Sequence, residues 1–461
     1  MKVHDRTFAS RDLYKTWLKT KDGLTFTGNP SNNYGATHTS SPFTWINEST
    51  FVGGCDDTLA LLDGLEREKA AAPITHPLNI GVLGTANIAR KNIAAIASTQ
   101  HVHTLVVGSR NTERAALYAA ENNVPHSCGS YAEVLNNTQV DAVYLPLPTT
   151  THLEWVAKAA ASGKHILCEK PVAVSTSELL QMLRLCKQAS VFLMDGVMFM
   201  HHRRLPLLHE ALHGHTSVLG SQGPLLINSH FSFKGDADFF QNNIRVQTQG
   251  DPLGCIGDLG WYNVRFSLFV FDYEMPTSVR CVVHRASAEG VPFHASGTLV
   301  WSRNGARSSG GSGGSGGSGS GVPVADRCSN FVCSFLHTEC QNATVVGEEG
   351  FIELNDFVIP TKAAKTSFRQ VKHVWGAKAE NIDVQTTDVE CVGDQSKQMW
   401  ETFQQLLAVD EGKSVGTTGS SGRGQQFYMD VVLKTQMIID ALMASSKQGG
   451  VEIVLGPVPE Y

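Results

Sequence analysis

The chain has 461 residues, of which 42% are apolar and 17% charged, and its formal net charge is −6. That composition is globular, and the length is too great for one compact core, so two domains are expected. No Lys/Arg block stands out, which argues against nucleic acid or an anionic membrane as the main partner.

None of the ten cysteines forms a C-x-x-C pair. Cys328, Cys333 and Cys340 are the densest group, but no His or Cys lies beside them at zinc-like spacing, so no metal is expected. Scattered buried thiols fit a reducing compartment, and a cytoplasmic location is the expectation. No run approaches the ~20 apolar residues that span a bilayer. The start "MKVHDRTFAS" lacks the apolar core of a secretory signal.

Residues 1–77 read as a polar N-terminal extension, with helical spacing only in "DDTLALLDGLEREKAAA". From Leu78 to about residue 200, apolar strands alternate with helices. "LNIGVLG", "HTLVVGSR", "DAVYLPLP", "KHILCEKP" and "VFLMDGVMF" are the strands. Helical segments of 10–15 residues separate them. This is the α/β pattern of a Rossmann dinucleotide-binding domain, with a parallel sheet covered on both faces. Residues 201–455 read as an α+β domain for substrate and assembly, with a large, mostly antiparallel sheet. Its strands include "PLLINSHFSF", "TSVRCVVHRA", "HASGTLVWS" and "SNFVCSFLH", and helices are expected near 398–409 and 426–446. The alternation in these strands predicts one open sheet face, and hence a homodimer or higher assembly through it. The Gly/Ser stretch at 308–321 interrupts this domain as a flexible tether.

"GVLGTANIA" joins the first strand to the first helix. Its Gly84-Thr85-Ala86-Asn87-Ile88-Ala89 follows the phosphate fingerprint G-x-G-x-x-G/A, with alanine in the second and third places. Small residues let a pyrophosphate reach the free N–H groups of the helix start. The second strand ends Gly108-Ser109-Arg110-Asn111, with Arg114 close behind and no carboxylate at its tip. Ser109, Arg110 and Arg114 suit a 2′-phosphate, so NADP is expected over NAD. Leu145 and Pro146, at the end of the third strand, are placed to wall the nicotinamide half. His152 either joins them or packs at the next helix start.

"HILCEKPVA" delivers Glu169 and Lys170 to the same sheet edge. There a lysine can donate to a substrate oxygen or, with a lowered pKa, take its proton. Glu169 sets its local field and is placed to reach the ribose. Pro171 ends the strand pairing, and the geometry of the Lys-Pro bond stays open.

Together with "VYLPLPTTTHLEW", "MDGVMFMHH", "NNIR", "GCIGDLGWY" and "VVGEEGFIELNDFVIP", these motifs resemble the Gfo/Idh/MocA oxidoreductase family. The likeness runs over about residues 78–455 and is strongest to the NADP-dependent dihydrodiol and D-xylose dehydrogenase branch. It implies an NADP-dependent dehydrogenase or reductase of a sugar, diol or related polyhydroxy carbonyl compound. It assigns Lys170 as the catalytic lysine, Tyr262 as the catalytic acid/base and Asp258 as its polar partner. A nearby ammonium is expected to lower the Tyr262 phenol. Arg245 of "NNIR" falls near the substrate mouth, as a substrate ligand or a loop brace. Met200 and Arg203 depart from the family's arginine and proline. A non-catalytic NADP-binding regulator, and a glycosidase using a bound cofactor for transient oxidation, stay open beside this reading.

Overall fold

A computed structural model describes residues 76–302, 325–360, 365–372, 383–390, 394–408 and 423–461, and the backbone of four short strands nearer the N-terminus. Met1–Glu68 form a unit of their own. In it Lys2–Val3 pairs with Arg6–Thr7, and Thr44–Asn47 with Thr50–Gly53, both antiparallel. The helix expected over 56–72 and the 308–321 tether lie outside the described residues.

The second unit, Lys69–Tyr461, holds two sheets. The first contains β1 (Leu78–Leu83), β2 (Val102–Gly108), β3 (His126–Cys128), β4 (Ala142–Leu145), β5 (His165–Cys168) and β6 (Leu193–Asp195). Every pairing is parallel and the order is β6-β5-β4-β1-β2-β3. All residues of β4, β5 and β6 are buried, as a sheet covered on both faces requires. Strand order reverses between β1 and β4, and ligands of such sheets bind off the carboxyl ends at that reversal. Helices α1 (Asn87–Ala97), α2 (Thr112–Glu121), α3 (Tyr131–Asn136), α4 (His152–Ala161) and α5 (Thr176–Gln188) connect the strands.

The second sheet has nine strands. They are β7 (Leu226–Lys234), β8 (Ser278–Ala286), β9 (Pro292–Trp301), β10 (Arg327–Ser334), β11 (Leu336–Val346), β12 (Gly350–Leu354), β13 (Lys365–Lys372), β14 (Asp383–Glu390) and β15 (Ile453–Val454). The order is β14-β13-β12-β11-β7-β10-β9-β8-β15. Only the β7–β10 pairing is parallel. The expected single strand "SNFVCSFLH" is in fact two. The chain turns at Phe335, so β10 and β11 lie on opposite sides of β7.

Further helices of the unit include α6 (Arg204–His213), α7 (Trp261–Val270), α8 (Gln395–Ala408) and α9 (Gln425–Lys447), with a short helix over Ala237–Asn242 between the first two. Every residue of α7 is buried, because it is packed between β7 and α9. Its Arg265 forms a buried ion pair with Asp195 at the end of β6, N–O 2.6 Å, and bonds Thr435 of α9. Removing one partner of such a pair costs about 3–5 kcal/mol. The two sheets are thus tied together where the first one ends. Late in sequence, α8 returns to the first sheet: Trp400 and Phe403 join Ile80, Val107 and Tyr144 in one apolar cluster.

Candidate active site

The phosphate end starts at Gly84, which follows β1 with φ +113°, a conformation that favours glycine. A Cβ there would lie 3.1 Å from the Leu147 side chain. The next helix, α1, has Ala86 as its N-cap and no side-chain cap, so its first amide groups are not met by a capping side chain. Thr85 and Ala86 are half-buried, while Asn87 and Ile88 are exposed, an open cradle suited to an anion. Across the turn, Ser109 is buried and its hydroxyl accepts from the Asn111 amide. Arg110 and Arg114 are exposed beside it. The residues present therefore fit a dinucleotide phosphate.

At the other end, Lys170 follows β5 and precedes a cis Lys170–Pro171 bond. Its Nζ donates to the backbone oxygen of Asp258 at 2.9 Å and to the Asp258 carboxylate. Asp258 stands in a π-helical turn, Ile256–Gly260, that leads into α7. A Cβ on Gly257 of that turn would meet Pro171 at 2.9 Å, so glycine permits the close approach. Tyr262, at the start of α7, places its ring face 5.0 Å from Lys170 Nζ. Its hydroxyl is 3.5 Å from Met198 Sδ. Arg245 Nε approaches the same Asp258 carboxylate at 3.2 Å, and its side chain stays 41% exposed, so it borders both the buried charges and the mouth.

The electrostatics correct two expectations. Burial alone would lower the Lys170 pKa, but the Asp258 carboxylate and Tyr262 raise it above the ordinary lysine value. Lys170 therefore holds its proton instead of serving as a neutral base. Burial also pushes the Tyr262 phenol up to about 12, outweighing the lowering by Lys170. Both groups carry protons at neutral pH. Asp258 is held below the usual carboxylate range: burial opposes this, but Arg245 and Lys170 prevail.

His152 is buried, with Nε2 2.8 Å from the Leu147 carbonyl and Nδ1 2.9 Å from the Val172 carbonyl. It braces the loops after β4 and β5, which is the packing alternative of the two expected for it. Leu145 is fully buried in β4, and Pro146 follows it.

Two features had no clear sequence signal. Asp251 is buried, and burial followed by the Asp258 charge raises its pKa to about 7. Glu169 ends a relay that crosses the first domain. Trp400 Nε1 donates to Asn92 Oδ1 at 2.9 Å, Asn92 Nδ2 to Tyr144 Oη at 2.7 Å, and Tyr144 to Glu169 Oε1 at 2.5 Å. An indole N–H only donates, so the direction of the whole chain is set and Glu169 is its acceptor.

Residues 78–197 match the profile described as "Oxidoreductase family, NAD-binding Rossmann fold". A D-xylose 1-dehydrogenase (NADP(+)) of Haloferax volcanii is 38% identical over 40% of this chain and 54% of its own length. A dTDP-3,4-didehydro-2,6-dideoxy-alpha-D-glucose 3-reductase of Saccharopolyspora spinosa is 33% identical over 50% of this chain and 66% of its own. The matched stretches thus span a little more than half to about two thirds of these relatives. A solved 3-ketoreductase from Actinomadura kijaniata, in complex with NADP and TDP-benzene, superposes with a TM-score of 0.64 at 20% identity. It covers 80% of this chain and 98% of that one, and so shows a shared fold.

Proposed function

We propose, from the premise that this chain belongs to the Gfo/Idh/MocA oxidoreductases through residues 78–197, that it is an NADP-dependent oxidoreductase of a sugar, diol or related polyhydroxy carbonyl compound. The observation that carries the reading is the buried Lys170 ammonium, set between Asp258 and the Tyr262 ring at the carboxyl edge of the parallel sheet. When bound, the nicotinamide supplies or accepts the hydride. The chain's own groups handle the substrate oxygen. In the reducing direction Tyr262 donates a proton to the carbonyl oxygen. Lys170 stabilises the negative charge that develops there, and Asp258 and Arg245 fix the lysine and the mouth. Both donors are protonated at neutral pH, as the reducing direction requires.

The first amides of α1 and the Gly84 turn would hold the pyrophosphate. Ser109, Arg110 and Arg114 would hold the 2′-phosphate, with Glu169 aimed at the ribose. The printed names of the relatives support NADP and sugar substrates. Fluorescence titration tests the nucleotide: NADP should bind more tightly than NAD, and tighter NAD binding would overturn that assignment. A panel of keto- and aldo-sugars with NADPH tests the substrate class.

Assembly as a homodimer or larger through the open face of the second sheet is part of the same reading. That face presents half-buried and exposed residues such as Val282, which is 45% exposed. Light scattering that shows only a monomer contradicts it.

A further inference from the structure

α6 and the end of α7 carry a second group of polar side chains that the proposed reaction does not use. His209 and His213 are four apart on α6, so they share a helix face, and their ring centroids are 4.7 Å apart. Asp272 meets both: its Oδ1 is 2.9 Å from His209 Nε2 and its Oδ2 3.7 Å from His213 Nδ1. All three ligand atoms lie within 4.8 Å of one another. A zinc ion with bonds of about 2.0–2.1 Å needs its ligands about 3.3–3.5 Å apart in a tetrahedron, so modest side-chain rotation closes the site.

The carboxylate is also held in place by an unusual backbone. Asp272 and Tyr273 follow α7 at φ 49° and 59°, a left-handed pair containing an aromatic residue, which rarely adopts that conformation. The Tyr273 amide bonds the Leu268 carbonyl at 2.6 Å, and Lys434 bonds the Tyr273 carbonyl at 2.9 Å.

We propose that His209, His213 and Asp272 form a binding site for one divalent transition-metal ion of the zinc class. Two imidazoles and a carboxylate favour such an ion over calcium or magnesium, and three protein ligands leave one position for water. Helix α7 separates the ion from the reaction centre: at about 1.5 Å per residue, its stretch from Tyr262 to Val270 alone spans about 12 Å. Its effect is to link α6 to the end of α7, and it takes no part in hydride transfer. This amends the expectation from cysteine spacing that the chain binds no metal.

The test is calorimetric titration of the chelator-treated full chain with zinc chloride. One site per chain is expected. Weakening a group that merely supports a ligand costs about 10–100-fold in metal affinity, so loss of a ligand in His213→Ala or Asp272→Asn should cost at least that. His209→Gln, a milder change, should weaken binding in the same direction. Loading with cobalt(II) gives a second readout, in which visible bands without a thiolate charge-transfer band mark N/O ligation. Absence of zinc uptake, affinity unchanged in the His209→Gln/His213→Ala pair, or a thiolate band would each overturn the proposal. Sugar reduction should be unchanged in these variants.

Discussion

The two ends of the candidate site are built on opposite plans. At the reaction end, Asp258 and Tyr262 are buried and Lys170 nearly so, and they are already in contact, with side-chain exposures of 10% and 6% for the Lys170–Asp258 ion pair. At the end proposed for the phosphates, Asn87, Arg110 and Arg114 are exposed, and the groups proposed to hold the anion are mostly backbone amides. The difference follows from what each end must do. Stabilising charge that develops during a reaction needs groups fixed in advance and shielded from water. Holding an anion that arrives from solvent needs open amides and mobile cations. Changes that break the ion pair at the reaction end should therefore act on kcat and on stability together. Changes at the phosphate end should act on nucleotide affinity alone.

The largest effect is expected from Asp258→Ala. It strands a buried ammonium, at a cost of about 3–5 kcal/mol in stability. It also removes the group that fixes Lys170, so kcat should fall about 10²–10⁴-fold, read by denaturant unfolding and steady-state assays. Tyr262→Phe comes next, with a loss in kcat of about 10²–10³-fold and a nearly unchanged melting temperature. If Tyr262→Phe instead raised only KM, the phenol would be a binding group. Arg110→Ala should weaken NADP about tenfold and leave NAD unchanged, since about 1.4 kcal/mol is a reasonable value for one exposed phosphate contact. An equal loss for both nucleotides would remove Arg110 from the 2′-phosphate.

Asp251 sharpens the comparison through pH. Its folded pKa is raised to about 7 from an ordinary value near 3.8. Its contribution to stability is therefore full below about pH 4 and is lost as pH rises through about 7. The wild-type pH–rate profile should show an ionisation near 7, and Asp251→Asn should remove it and flatten the decline in stability over that range. The smallest change is expected from Tyr144→Phe, which cuts the relay to Glu169. It should raise KM for the nucleotide a few-fold and leave kcat nearly unaltered.

How far these features were legible in the sequence depended on how local their causes are. The parallel sheet could be read because β4 and β5 are apolar along nearly their whole length. Gly84 and Lys170 could be placed because they follow directly on such strands. Short polar elements were missed. β3 with α3, "HSCGSYAEVLN", offers little periodicity, and β14, "DVQTTDVE", is an edge strand with mostly exposed residues. Long-range chemistry was hidden for a different reason. Trp400 and Asn92 are 308 residues apart, and nothing in the sequence around Asp251 marks it as buried. The proton states of Lys170 and Tyr262 turned on a contest between burial and Asp258 that only the packed structure decides.

The most direct test of the account is single-turnover reduction of a ketosugar by bound NADPH, followed by nicotinamide absorbance, in wild type and Lys170→Met with nucleotide binding measured in both. The account predicts that Lys170→Met binds NADPH like wild type and transfers hydride at least about 10²-fold more slowly. Equal transfer rates in the two proteins would contradict the role of the buried lysine, and no transfer in wild type across the sugar panel would contradict the proposed activity.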